Sequence, residues 1–121
     1  KNNGFEQIIA WQKARQLNFD VYQITSTPSF SNDFALVNQI RRASISISSN
    51  IAEGYGRKST KEFTYFLSVA KASCFELKSQ LYLALDVKYI GQDTFEEIYS
   101  LADEVSKTIY GLIKHLENNE Q

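Results

Sequence analysis

Apolar residues recur at alternating intervals of three and four along four long segments of the chain, the spacing of a helix with one buried side. The first segment predicts a helix over Glu6 to Ile24, with Ala10, Ala14, Leu17, Val21 and Ile24 as its seam. Ile8, Trp11, Phe19 and Tyr22 widen that seam into a second stripe. A second helix is predicted from Asp33 to Glu53, with Leu36, Ile40, Ala43, Ser44, Ile47 and Ile51 inward. The third turns Phe63, Phe66, Leu67, Ala70, Cys74, Leu77, Leu81 and Leu85 inward and is expected to end near Lys88. The fourth carries one clean stripe, Phe95, Ile98, Ala102, Val105, Ile109, Leu112 and Leu116, with polar and acidic residues on its other faces.

Boundary residues fit this division. Thr25 to Asn32 reads as a loop with Pro28 as its breaker, and Ser31 or Asn32 can cap the next helix. Gly54 and Gly56 are expected to supply a left-handed stop for the second helix. Ser59-Thr60-Lys61-Glu62 and Asp93-Thr94-Phe95-Glu96 read as capping boxes opening the third and fourth helices, with Gly91 in the turn between them. Glu117 to Gln121 reads as a frayed tail. The expectation is one all-α domain over residues 1–121, an antiparallel up-down-up-down four-helix bundle.

Composition agrees with long helices: 121 residues hold one proline and five glycines. No run is long and apolar enough to span a bilayer, and no signal peptide is visible at Lys1. Cys74 is the lone cysteine, so no internal disulfide can form, which fits a reducing compartment, the cytoplasm. Net charge is −1, but the charges are unevenly placed. Residues 41–88 hold eight Lys and Arg against four Asp and Glu, and residues 93–121 hold two against seven. Complementary helices within one bundle account for this, as does a basic binding surface.

Two helices show more than a core stripe. On the second, Ile45, Ser48, Ser49 and Ala52 lie opposite the core, flanked by Arg41, Arg42 and Glu53. On the third, Tyr65, Ser68, Ala72, Phe75, Ser79 and Leu83 do the same. A head-to-tail contact would set the second helix of one copy against the third of the next, bringing Arg42 or Arg41 to Glu76 or Glu53. The oligomer-interface candidates are therefore Arg42, Ile45, Ser49, Ala52, Glu53, Tyr65, Ala72, Phe75, Glu76 and Leu83. Arg57, Lys58 and Lys61 cluster at the junction of the two helices, beside a helix N-terminus that favours anions. With Arg41 and Arg42 they are the candidate nucleic-acid contacts; the alternative is solvated end charges. Tyr55 and Tyr65 could stack on bases or simply pack.

Catalytic arrangements find little support. His115 is the only histidine, and a Cys–His pair would need Cys74, which falls on the core stripe. No Glu-x-x-His exists for a di-iron bundle, no zinc ligand set can be assembled, and no cofactor is expected. Gly54-x-Gly56 lacks the rest of a phosphate loop. Glu53 and Glu76 fit an arginine–carboxylate contact better than an acid–base pair.

The run Gln39-Ile40-Arg41-Arg42-Ala43-Ser44-Ile45-Ser46-Ile47-Ser48-Ser49-Asn50-Ile51-Ala52-Glu53-Gly54-Tyr55-Gly56-Arg57 resembles the signature of the bacterial 23S ribosomal RNA intervening-sequence proteins. Relatives of that family include the accessory variability determinant of diversity-generating retroelements. Trp11-Gln12-Lys13-Ala14 is similar to the family's first helix. Phe66-Leu67, Ala70-Lys71, Ser73, Glu76-Leu77 and Gln80-Leu81 are similar to its third. The loop Pro28-Ser29-Phe30-Ser31-Asn32-Asp33 departs from the family's usual Phe-Pro followed by an acidic residue. The resemblance implies a four-helix bundle assembled as a homopentamer, with RNA or DNA as the natural ligand class. A protein–protein scaffold without nucleic acid is the other reading.

Overall fold

The protein, as a computed structural model, is described over residues 4–119. Four long helices dominate it: α1 (Ile9–Thr25), α2 (Phe34–Tyr55), α3 (Thr60–Asp86) and α4 (Gln92–Asn118). α1 packs on α2 and α4, and α3 packs on the same two from the opposite corner.

Contacts along each seam fix the chain direction. Asn18 meets Ser44 while Thr25 meets Arg41, so α1 and α2 run opposite ways. Ser46 meets Ser73 and Gly54 meets Phe66, reversing α3 against α2. Lys78 binds Asp103 while Lys71 lies near Tyr110, reversing α4 again. Lys13 pairs with Glu104 across α1 and α4, and Asp20 and Ile24 share a shallow cleft with Thr94 and Ile98. The predicted up-down-up-down bundle is what these pairings build.

The core is the set of inward stripes. Leu17, Ile40, Ile47, Ile51, Leu67, Leu77, Leu81 and Ile109 are fully buried, each contributing roughly 1.5–3 kcal/mol. Phe63, Phe66, Leu85, Leu112 and Leu116 close its ends half-buried. Ser44 donates to Asn18 at 2.7 Å, and Asn18 donates to Ser48 at 2.9 Å. That network draws Ser48 into the α1–α2 seam, so it does not belong to the outward stripe expected of it.

Helix ends differ from the sequence expectations in instructive ways. α1 starts at Ile9, because Ile8 is extended and separates it from a 3₁₀ turn at Phe5–Gln7. Phe5 sets that turn edge-on against Trp11. Pro28 does not break structure but starts it: it occupies the first turn of a one-turn helix, Pro28–Ser31, where its missing N–H costs nothing. Phe30 on that turn is fully buried and packs against Tyr89. The α2 cap is Asp33, whose Oδ1 accepts from Leu36 N at 3.0 Å; Ser31 and Asn32 lie too early. The other carboxylate oxygen, Oδ2, accepts from the Tyr89 hydroxyl at 2.8 Å. The Leu36 amide first, and Tyr89 second, hold the Asp33 carboxyl below its ordinary range. Its contribution is therefore present above that range and lost as pH falls through the lowered value.

Neither Gly54 nor Gly56 is left-handed. Gly54 lies inside α2, and a Cβ there would sit 2.8 Å from the Phe66 Cβ and 3.0 Å from Phe63 Cδ1. The glycine is required by close helix approach, not by a turn. The left-handed residue is Lys88, at φ 68°, just after α3. Tyr89 N donates to Ala84 O and Lys88 N to Leu85 O, closing a Schellman motif. α4 begins at Gln92 with Gly91 at its cap position and no side-chain cap, so Asp93 is a first-turn acid and not the cap. α4 continues to Asn118, two residues into the expected tail, whose residues 120–121 lie outside the described residues.

The Ser59 cap forms as the sequence suggests, with Oγ accepting from Glu62 N at 3.1 Å. Ser59→Ala is expected to lower stability by about 1 kcal/mol, read as a shifted urea midpoint with unchanged slope.

Candidate nucleic-acid interface

The five basic candidates do not form one patch. Arg57, Lys58 and Lys61 gather at the α2–α3 junction. Arg57 N donates to Gly54 O, which turns the chain there. Its guanidinium lies 4.8 Å above the Phe66 ring and donates to Glu53 Oε2 at 2.7 Å. That ion pair is exposed on both sides, so it contributes little and leaves Arg57 able to exchange its partner. Lys58 and Lys61 are exposed and have no ion-pair partner among the described residues. Ser59 already occupies the Glu62 amide with its hydroxyl and the Phe63 amide with its carbonyl. An anion here would be held mainly by side chains.

Arg41 does different work. Its Nε donates to Thr25 Oγ1 at 2.8 Å, its Nη2 to Ser26 Oγ at 3.2 Å, and its guanidinium covers Tyr22 at 4.1 Å. It ties α2 to the end of α1. Arg42 is exposed and lines a small polar cleft with Gln39, Ala43, Ser46 and Glu76. Arg42 and Glu76 thus share one cleft of the same chain. Glu53 is engaged by Arg57 within its own helix.

The second stripes occupy two separate faces. Ile45 and Ser49 are exposed on the outside of α2 and Ala52 is half-buried, with Ile45 41% accessible. Tyr65, Ala72 and Leu83 are exposed on the outside of α3, with Tyr65 62% and Leu83 49% accessible. Phe75, also 52% accessible, is turned about a quarter of the way round α3 toward α4.

Lys71, Phe75 and Lys78 on α3 and Asp103, Ser106, Lys107 and Tyr110 on α4 line a cleft between those helices. Lys78 is nearly buried and donates to Asp103 Oδ1 at 2.8 Å, and Lys107 lies 3.1 Å from Oδ2. The Lys78 bond first, then Lys107, holds the Asp103 carboxyl below its usual range. The sequence does contain the signal: Lys71, Phe75, Lys78 and Tyr82 recur at intervals of four, three and four. It is legible only once Tyr99, Asp103 and Tyr110 are known to face them.

Cys74 is buried, and desolvation pushes its thiol up to about 12 against the weaker opposing pull of Lys78 and Lys71. It is not a competent nucleophile. His115 is exposed near the end of α4, with Nε2 3.1 Å from Asn119 Nδ2. Among the described residues, no group of three His, Cys, Asp or Glu could hold a metal, and no helix is long and apolar enough to cross a membrane.

The family model described as 23S rRNA-intervening sequence protein matches residues 6–111. The chain belongs to that family. The match covers α1, α2 and α3, reaches residue 111 within α4, and contains both the basic junction and the α3–α4 cleft. Among solved structures, the chain is similar to a protein of unknown function from the S23 ribosomal protein family of Bacteroides thetaiotaomicron VPI-5482. The two chains are 24% identical with a TM-score of 0.81, over 88% of this chain and 99% of that one. That likeness carries the fold. No curated protein matches the chain.

Proposed function

We propose that this intervening-sequence protein is a non-enzymatic homo-oligomer, the pentamer its family resemblance implies, that binds nucleic acid, RNA foremost, through a repeated basic patch. The observation that carries the reading is the pair of unlike apolar faces left exposed on α2 and α3. A folded bundle has no internal use for Ile45 on one side and Tyr65 and Leu83 on another. Two different faces that met each other would make head-to-tail contacts, which form a ring where the rotation between copies closes. Each copy adds one Arg57, Lys58 and Lys61 cluster, so a weak patch gains by multivalency despite the net charge of −1. The family's description refers to a 23S rRNA intervening sequence, which suggests nucleic acid as the ligand class, and the exposed lysines would supply the chemistry.

The net acidity favours a second reading, a protein–protein scaffold without nucleic acid. Binding of a labelled RNA at several salt concentrations separates them, after light scattering has fixed the assembled mass. Replacing Arg57, Lys58 and Lys61 with Gln is expected to weaken binding and to reduce the salt slope by up to about 3 per copy engaged. Binding that keeps the wild-type slope would remove this patch from the interface. An absence of salt-dependent binding by the wild type would leave the scaffold.

A further inference from the structure

We propose that the α3–α4 groove takes an unpaired stretch of nucleic acid, with bases stacked on Phe75 and Tyr110 and phosphates held by Lys71 and Lys107. The inference rests on the nucleic-acid reading above and adds which form is bound and where. Both residues are 52% accessible. Lys71 and Lys78 lie over the Phe75 ring and Lys71 and Lys114 over that of Tyr110, so a base stacks there by displacing Lys71 and Lys114. The Lys71 ammonium lies 4.8 Å from the Phe75 centroid and 5.7 Å from that of Tyr110. One cation therefore covers two neighbouring rings; displaced by stacking bases, it would stay beside them for the phosphate that joins them.

The floor of the groove is built and rigid. Lys78 is only 9% accessible, is fixed to Asp103, and lies 5.0 Å from Phe75 and 5.2 Å from Tyr99. Asp103 is the one acid lining the groove, against Lys71, Lys78 and Lys107. It is already bound by two of them, so the surplus charge is positive. The cleft holds about 350 Å³, within the range of sites that accept a small planar group. An acidic peptide would answer the lysines but leave the two rings exposed. A duplex keeps its bases stacked inside and cannot offer their faces. Aromatic platforms beside a positive groove are the chemistry of single-strand binding.

The test uses the full chain, a fluorescein-labelled oligouridylate, and an RNA duplex of equal length, read by fluorescence anisotropy. Phe75→Ala with Tyr110→Ala should weaken single-strand binding at least about tenfold while duplex binding stays within about twofold. Lys71→Gln with Lys107→Gln should lower the single-strand salt slope by about 1–2. Circular dichroism confirms that each variant keeps its helices, as substitutions at exposed positions should. Equal losses for single strand and duplex would overturn stacking. An unaltered ring variant, beside an Arg57, Lys58 and Lys61 variant that no longer binds, would overturn the groove and keep the nucleic-acid reading. No binding of either RNA by the wild type would overturn both. Displacement of the oligouridylate by polyglutamate at equal charge concentration would overturn the base contacts in favour of a purely acidic ligand.

Discussion

Ile45→Glu is expected to convert the assembled protein into a soluble, folded monomer of 13.9 kDa. Ile45 lies opposite the core face of α2 and is 41% accessible, so the isolated bundle loses almost nothing when it becomes charged. In the ring the same position would place a carboxylate against the next copy's α3. Enclosing an unpaired charge costs several kcal/mol after relaxation, and a closed ring repeats that cost at every boundary. Arg42 stands one turn before Ile45, but its exposed guanidinium faces the α3 side, toward Glu76, and not the Ile45 side. Light scattering reads the mass, and far-ultraviolet circular dichroism reads the fold. A variant that keeps the wild-type mass would move the contact away from this face. One that loses its helices would mean that Ile45 supports the core. Tyr65→Glu, on the other apolar face, should give the same monomer, because a head-to-tail ring fails when either side of its contact fails.

Gly54→Ala is expected to lower stability by about 2–3 kcal/mol, the upper part of the range for overpacking a close contact. The new methyl carbon would stand 2.8 Å from another Cβ, an atom that no rotamer change can move. The Phe63 carbonyl oxygen, 3.2 Å away, closes the other exit. α2 and α3 would have to part at the last turn of α2. The better helix propensity of alanine returns only about 0.5–1 kcal/mol. For a chain of this size, the thermal midpoint should fall by roughly 10 °C. Phe66 also carries the Arg57 guanidinium, so the RNA binding proposed for that junction should weaken along with stability. A midpoint that holds or rises would show that the helices separate freely there.

The four stripes were legible because each helix faces the core with one side, and period alone locates that side. The ends were less legible, because several depend on contacts from distant segments. Asp33 is the cap because α2 starts at Phe34, one turn past the Pro28–Ser31 helix, and Tyr89, 56 residues away, holds its second oxygen. Pro28 could be read as a breaker until Phe30 found its place against Tyr89. Gly54 looks like a stop in one dimension and is a point of helix approach in three. The candidate site divides the same way. Arg57, Lys58 and Lys61 are neighbours in sequence and remain neighbours in space. Arg41 lies as near in sequence to Arg42 as a residue can, yet it is drawn inward by Thr25, Ser26 and Tyr22. The lysine and aromatic groove needs two helices 25 residues apart at Lys78 and Asp103, and no local pattern announces it.

The burial of Cys74 gives the bundle an internal clock. Its thiol is enclosed in the middle of α3, and burial holds it protonated at neutral pH. An alkylating reagent can reach it only when α3 lifts away from its neighbours. Labelling therefore counts opening events, and its dependence on urea distinguishes local breathing from release of the whole helix. With no second cysteine to confuse the signal, one mass measurement per time point follows the centre of the longest α2–α3–α4 packing in an unmodified chain. The same experiment run with added oligouridylate would show whether the ligand proposed for the neighbouring groove slows the opening of the helix that forms its wall.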